Sequence, residues 1–194
     1  MQDETRLYGV NLDELAEAVG TGDATYHAEL LRRNAPRIAE AEKELTPGAV
    51  TEALRRWIYD PVAQVGEGAA GIALAHGFEI LCVDAARRAA VPARLAGGRI
   101  PSVASLPDDA ELLDVDVDFA LVETRLTSRK TCGIVFQTSS PRVGHLTYRE
   151  LRRIRKALRE VPKERLAELP FFAAFAPAVR LAVRGELDLV AINF

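Results

Sequence analysis

Residues 72–88, IALAHGFEILCVDAARR, leave almost no side of a helix for water. At 100° per residue, Ile72, Ala75, His76, Glu79, Cys82, Val83 and Ala86 share one face. Leu74, Phe78, Leu81 and Ala85 cover the opposite one, and only Gly77, Asp84 and Arg88 form a narrow polar strip. A helix apolar on nearly every side belongs at the centre of a fold. The spacing therefore predicts a central buried helix over about 69–90, with other elements packed around it. It also places His76 and Glu79 in the interior, one turn apart and able to touch.

The polar residues of that stretch raise a chemical question. A catalytic reading takes His76 as acid-base, Glu79 as its orienting carboxylate and Cys82 as nucleophile. Helix geometry opposes it, because six residues separate His76 from Cys82 by about 9 Å along the axis. The two side chains also point about 120° apart, and a thiol and its base must come within hydrogen-bond reach. The metal reading is no stronger, since a lone His-x-x-Glu has no mate elsewhere in the chain. A buried pair that satisfies itself is the simpler expectation, because an unpaired interior carboxylate is very costly.

The rest of the chain reads as follows. Arg6 to Val10 suits a short strand. Asn11 and Glu14 have capping-box spacing, with Val10 and Leu15 as the staple. A second helix runs through Tyr26, Leu30 and Leu31 and breaks near Pro36. Thr46-Pro47 restarts a helix carrying Val50, Ala53, Leu54, Trp57 and Ile58. Gly66, Gly68 and Gly71 mark a loop before the central helix. Gly97, Gly98, Pro101 and Pro107 predict a flexible loop over 93–109. LLDVDVDFALVETRL alternates like a strand and CGIVFQT is a second strand candidate. A connection opens at Pro141 and a long helix starts at Thr147. FFAAFAPAVRLAV is an apolar helix broken near Pro177, and LDLVAINF closes the chain as a strand. This order is no regular βαβ alternation. It predicts an α+β, mostly helical single domain over 1–194, with amphipathic helices and about four short strands.

Three further segments carry candidate chemistry. Asp114, Asp116 and Asp118 would share one face of a strand, but an EF-hand would need Gly and Glu where Phe119 and Arg125 stand. A charged solvent face is expected there, and no metal. Thr147 to Glu150 is a capping box, with Leu146 and Leu151 as its staple and Leu151, Ile154, Leu158 and Val161 as a buried stripe. Arg149, Arg152, Arg153, Arg155, Lys156 and Arg159 fill the rest of that helix. They suit an acidic partner protein, or the chain's own segment 104–124, which holds seven acidic residues and no basic ones. His145, in the loop ahead of this helix, sits where a helix N-terminus lowers a histidine pKa. No G-x-S-x-G, Walker-type loop or glycine fingerprint calls for a cofactor. Nor does any helix-turn-helix, zinc-finger spacing or aromatic stacking motif point to nucleic acid.

Composition narrows the setting. A net charge of -3 is not that of a chain built to coat nucleic acid or an anionic membrane. The start, MQDETRLYGV, is no secretory signal. No stretch is read as the roughly 20 apolar residues of a membrane span, so a cytoplasmic location is expected. Two cysteines, Cys82 and Cys132, make no disulfide framework and are read as reduced thiols.

YGVNLDEL (Tyr8 to Leu15), HGFEILC (His76 to Cys82), PRVGHL (Pro141 to Leu146) and the closing LVAINF together resemble an uncharacterised family of small soluble bacterial proteins, a domain of unknown function. The resemblance implies a stand-alone soluble bacterial protein and carries over no catalytic residue. The function expected from the residues is a non-catalytic protein-interaction or regulatory module, of immunity type among others. It would dock through segregated acidic and basic surfaces, with Arg149, Arg152, Arg153, Lys156 and Arg159 as contacts. The alternative is a small enzyme or ligand-binding domain whose pocket joins His76, Glu79 and His145.

Overall fold

The structure is a computed structural model that describes residues 4–92, 95–137 and 140–194. In chain order, the first half comprises β1 (Glu4–Val10), α1 (Leu12–Ala18), α2 (Ala24–Ala41), α3 (Ala49–Tyr59), β2 (Gln64–Val65) and α4 (Ala69–Arg88). The second half comprises β3 (Ala96–Pro101), α5 (Leu106–Glu111), α6 (Phe119–Ser128), β4 (Val135–Phe136), β5 (Arg142–Leu146), α7 (Tyr148–Leu158), α8 (Lys163–Glu168), α9 (Pro170–Arg184) and β6 (Asp188–Asn193). The class is α+β and mostly helical, as the element order predicts.

One antiparallel sheet, ordered β3-β1-β6-β5, divides the helices into two layers. Strand alternation sends Tyr8, Val10, Val190 and Ile192 to one face, where they join α1 to α4 in one core. Leu7, Leu189 and Ala191 point the other way, into a second core with α5, α6, α7, α8 and α9. The central strand β6 is covered on both faces, which is why LDLVAINF shows so little polar alternation.

Helix α4 is the centre of its layer, contacting α1, α2 and α3 on one side and β1, β3 and β6 on the other. Gly77 and Asp84, expected on a polar strip, are both buried. At Gly77 an added Cβ would lie 3.1 Å from Ala53 and from Trp57, so α3 packs against bare backbone there. Asp84 is covered by α2 and held by Tyr26 Oη (3.2 Å), Arg33 (3.6 Å) and Arg88 (3.3 Å). By length and composition α4 would also qualify as a membrane span, contrary to the expectation from sequence, but 78% of its most apolar window is buried in the protein. It is a core helix.

Several local expectations are overturned. LLDVDVDFALVETRL is not a strand. Asp118 caps α6 by accepting from the Leu121 N–H (3.0 Å), and Phe119, Val122 and Leu126 then recur at helical spacing against the core. The exposed carboxylates of Asp114 and Asp116 lie in the loop before that cap. The segment read as a loop over 93–109 holds the edge strand β3, a 3-10 turn and the start of α5; its first two residues lie outside the described ones. The connection after Pro141 is strand β5. In CGIVFQT, Val135–Phe136 pairs parallel to β2, and Ile134 makes an isolated antiparallel bridge to Thr131. α2 and α9 run unbroken through Pro36 and Pro177. A proline inside a helix costs about 3 kcal/mol, and the burial of Leu30 and Ile38, or of Phe175 and Val179, outweighs it. Helix α3 starts after Gly48, whose φ of 82° serves as the cap, rather than at Thr46-Pro47.

Candidate functional site

Where α4 crosses β1, Glu79 is surrounded by donors. Arg6 and Tyr8 alternate onto the same face of β1, and His76 stands one turn earlier on α4. Arg6 Nη1 donates to both carboxylate oxygens (2.9 and 3.1 Å), and the Tyr8 hydroxyl donates to Oε1 (2.5 Å). His76 Nδ1 lies 3.3 Å from Oε2. The Phe194 ring stacks on His76 (4.5 Å between centroids), and the Arg6 guanidinium lies 4.7 Å from the same ring. The His76–Glu79 contact expected from their spacing is therefore present, and two β1 residues complete it.

Burial alone would raise the Glu79 carboxyl, but His76, Arg6 and Tyr8 overcome it and hold the group at about 2. Burial, then the Glu79 charge, pushes the Tyr8 hydroxyl far above its ordinary range. Glu79 is thus an ionised carboxylate with both oxygens engaged, unsuited to act as a general acid. Cys82, one turn further along α4, is fully buried, and burial pushes its thiol well up. Cys132 is pushed up to about 12 by burial, with Asp13 and Asp188 adding to the effect. Thiolate is the reactive form, so neither cysteine is an activated nucleophile. At pH 8 the folded protein should react with a thiol-specific disulfide reagent at least about 100-fold more slowly than free cysteine. Unfolding in guanidinium should restore the free rate for both cysteines. Rapid labelling of native Cys132 would contradict this account.

Beside Glu79 lies a cavity of about 300 Å³. Its floor is His76, Glu79 and Ile80 from α4. One side is Arg6 and Arg99, cross-strand partners on β1 and β3. The other is Arg37, Glu40 and Ala41 from α2, with Glu44 just beyond it. His145 does not line it. It sits on β5 in the same cross-strand row as Val190 and Tyr8, with β6 between it and β1. His145 is buried, with Nδ1 3.0 Å from Thr131 Oγ1, whose own proton goes to the Arg129 carbonyl (2.9 Å). Burial, then the Arg129 charge, lowers its pKa to about 4. The direction matches the expectation from sequence, but the main cause is desolvation. The structure therefore joins His76 to Glu79 and leaves His145 out. Sequence reasoning missed Arg6, Tyr8, Arg37 and Arg99. The one available signal was an arginine two residues from a tyrosine in the stretch RLYGV.

The second candidate surface lies on the opposite side of the sheet. Thr147 and Glu150 form the expected capping box of α7, and Leu151, Ile154 and Leu158 are buried. Glu150 is also bound by Arg125 (2.9 Å) and Arg129 (2.7 Å), both from the segment ending α6. Asp109 accepts from the Phe171 N–H at the start of α9 (3.1 Å), and Asp118 caps α6, so these acids of 104–124 are engaged away from the basic helix. Among the described residues, Arg149, Arg152, Arg153, Arg155, Lys156 and Arg159 form no ion pair, and no carboxylate lines the grooves they border. Lys163 and Arg180 extend the same basic surface. Among the described residues, no group of three or more His, Cys, Asp or Glu is placed to hold a metal ion.

These features define a helix-sheet-helix α+β domain with a buried carboxylate cluster on one side and a cationic helix on the other. The chain belongs to the family Domain of unknown function (DUF7691), whose model matches residues 1–191. No curated protein and no solved structure matches the chain.

Proposed function

We propose that this protein is a non-catalytic interaction module of the bacterial cytoplasm, in a regulatory or immunity-type role. Its α7 face receives an acidic segment of a partner protein. The observation that supports this is the cationic face of α7, whose bordering grooves are lined by no carboxylate among the described residues. Six Arg and Lys side chains surround the helix outside its buried stripe, and five of them are exposed. Helix, cap and core packing are satisfied without these charges, which leaves their donors for another molecule. The rest of the chain is net acidic, which favours a compact acidic segment over an extended polyanion that would also meet the repelling surface.

Fluorescence anisotropy with a labelled oligoglutamate peptide and a labelled DNA duplex tests this. The peptide should bind more tightly as salt falls. Reversing Arg152, Arg153 and Lys156 to Glu should weaken peptide binding at least about 30-fold, a loss of about 2 kcal/mol. The far-UV spectrum should not change, because all three side chains are exposed. Tighter binding of the duplex would replace the protein partner with nucleic acid. Unchanged peptide binding in the variant would exclude α7 as the docking face.

A further inference from the structure

Arg6 and Arg99 stand directly opposite each other across β1 and β3, an arrangement that repels and is ordinarily avoided. The structure compensates for it. Glu4 bridges the pair, accepting a hydrogen bond from Arg6 Nε (2.7 Å) and forming an ion pair with Arg99 Nη1 (3.0 Å). Glu79 takes Arg6 Nη1, and the nearby Phe194 ring flanks the guanidinium. This fixes both guanidiniums while leaving Arg6 Nη2, and Arg99 Nε and Nη2, without a protein partner among the described residues. Arg37, facing them from α2, has no ion-pair partner there either. A local conflict that needs two carboxylates to stabilise it, and ends in unused donors beside a cavity, marks a recognition site more than a stability device.

We propose that this cavity binds a small zwitterion of amino-acid type, with its carboxylate on the spare N–H groups of Arg6, Arg99 and Arg37 and its ammonium toward Glu44. Planar guanidiniums match a carboxylate in bidentate fashion. A volume of about 300 Å³ lies at the small end of ligand sites. The acidic side of the lining sets the rest of the specificity. Glu40 is paired with Lys43, whereas Glu44 has no partner among the described residues. An unpaired carboxylate facing the arginines disfavours a doubly charged phosphate and suits an amine. Ala41 and Ile80 supply the apolar part of the lining. The site is separate from α7, which packs on the opposite face of the sheet.

Isothermal titration calorimetry with glycine, L-alanine, L-serine, L-glutamate and L-lysine tests the assignment, with acetate, methylamine and inorganic phosphate alongside. At least one amino acid should saturate with a Kd below about 1 mM, and acetate and methylamine should each bind at least about tenfold more weakly. Arg37→Gln and Arg99→Gln, both at exposed positions, should each lower affinity at least about tenfold without moving the Tm of the ligand-free protein. Glu44→Gln should reduce the amino acid to the affinity of acetate. Reversing the α7 charges should leave this binding intact. The proposal is overturned if no amino acid saturates, if phosphate binds as tightly as the best amino acid, or if the arginine variants keep native affinity.

Discussion

Glu79→Ala should lower the unfolding free energy by about 3–5 kcal/mol, the usual cost of removing one partner from a buried ion pair. The substitution leaves the half-buried Arg6 charge without its main anion and the fully buried Tyr8 hydroxyl without an acceptor. The same group makes stability depend on pH. Its folded pKa of about 2 lies below the value near 4.3 of an unfolded glutamate. Its contribution is therefore complete above about pH 5 and is lost as pH falls toward 2, for a total of about 3 kcal/mol. Glu79→Gln, which keeps the shape and removes the charge, should lack that part of the acid dependence. Urea denaturation at pH 7, 5 and 3 measures both. If Glu79→Gln loses stability between pH 5 and 3 as steeply as the native protein, the Arg6–Tyr8–His76 cluster is not what holds the carboxylate ionised.

The cluster was half legible in the sequence, for a physical reason. His76 and Glu79 are one helical turn apart, so periodicity alone brings them together. Arg6 and Tyr8 lie 73 and 71 positions from Glu79. Only the docking of α4 across β1, set by sheet order and register, could place them. The same division runs through the fold. An amphipathic stripe with its own cap announced α7, and the all-round apolar surface of 69–90 announced α4. Strand β5 was missed because RVGHL is short and gains its stability from pairing with β6. DVDVD misled because alternation of valine and aspartate is also what a loop shows when it turns two valines onto a core and ends in an Asp cap. Pro36 and Pro177 misled because local propensity was taken to outweigh tertiary burial. The basic face of α7 was visible in the sequence. The engagement of neighbouring acids elsewhere was not, because Asp109 and Glu150 find their partners through α9 and α6.

Gly144→Ala should destabilise the protein far more than its one added methyl suggests. At this position of β5 an ideal Cβ would lie 2.0 Å from the Arg125 carbonyl oxygen and 2.7 Å from the Leu126 carbonyl carbon, well inside contact distance. Backbone cannot rotate away as a flexible side chain could, so either α6 or β5 must shift. The local hydrogen bonds oppose both movements. Asn193 Nδ2 donates to the Leu126 carbonyl on α6 and to the Arg142 carbonyl on β5 (3.1 Å each). Its Oδ1 accepts from Thr5 (2.6 Å), whose oxygen accepts from the Val103 N–H (3.2 Å). Separating α6 from β5 therefore also disturbs β1 and the turn after β3. The expected loss is about 3 kcal/mol, at the upper end for an overpacked core, or about 6–12 °C in Tm for a chain of this size. Gly133→Ala is the matched comparison. It lies at φ 83° with nothing within 4 Å of an added Cβ, so it should cost only the backbone preference, about 1 kcal/mol and about 2–4 °C. Equal losses at the two positions would mean that close packing of α6 on β5 contributes no more than a turn residue does. A loss at Gly144 several times larger would identify that contact as the one fixing β5, and with it the buried position of His145, at the edge of the sheet.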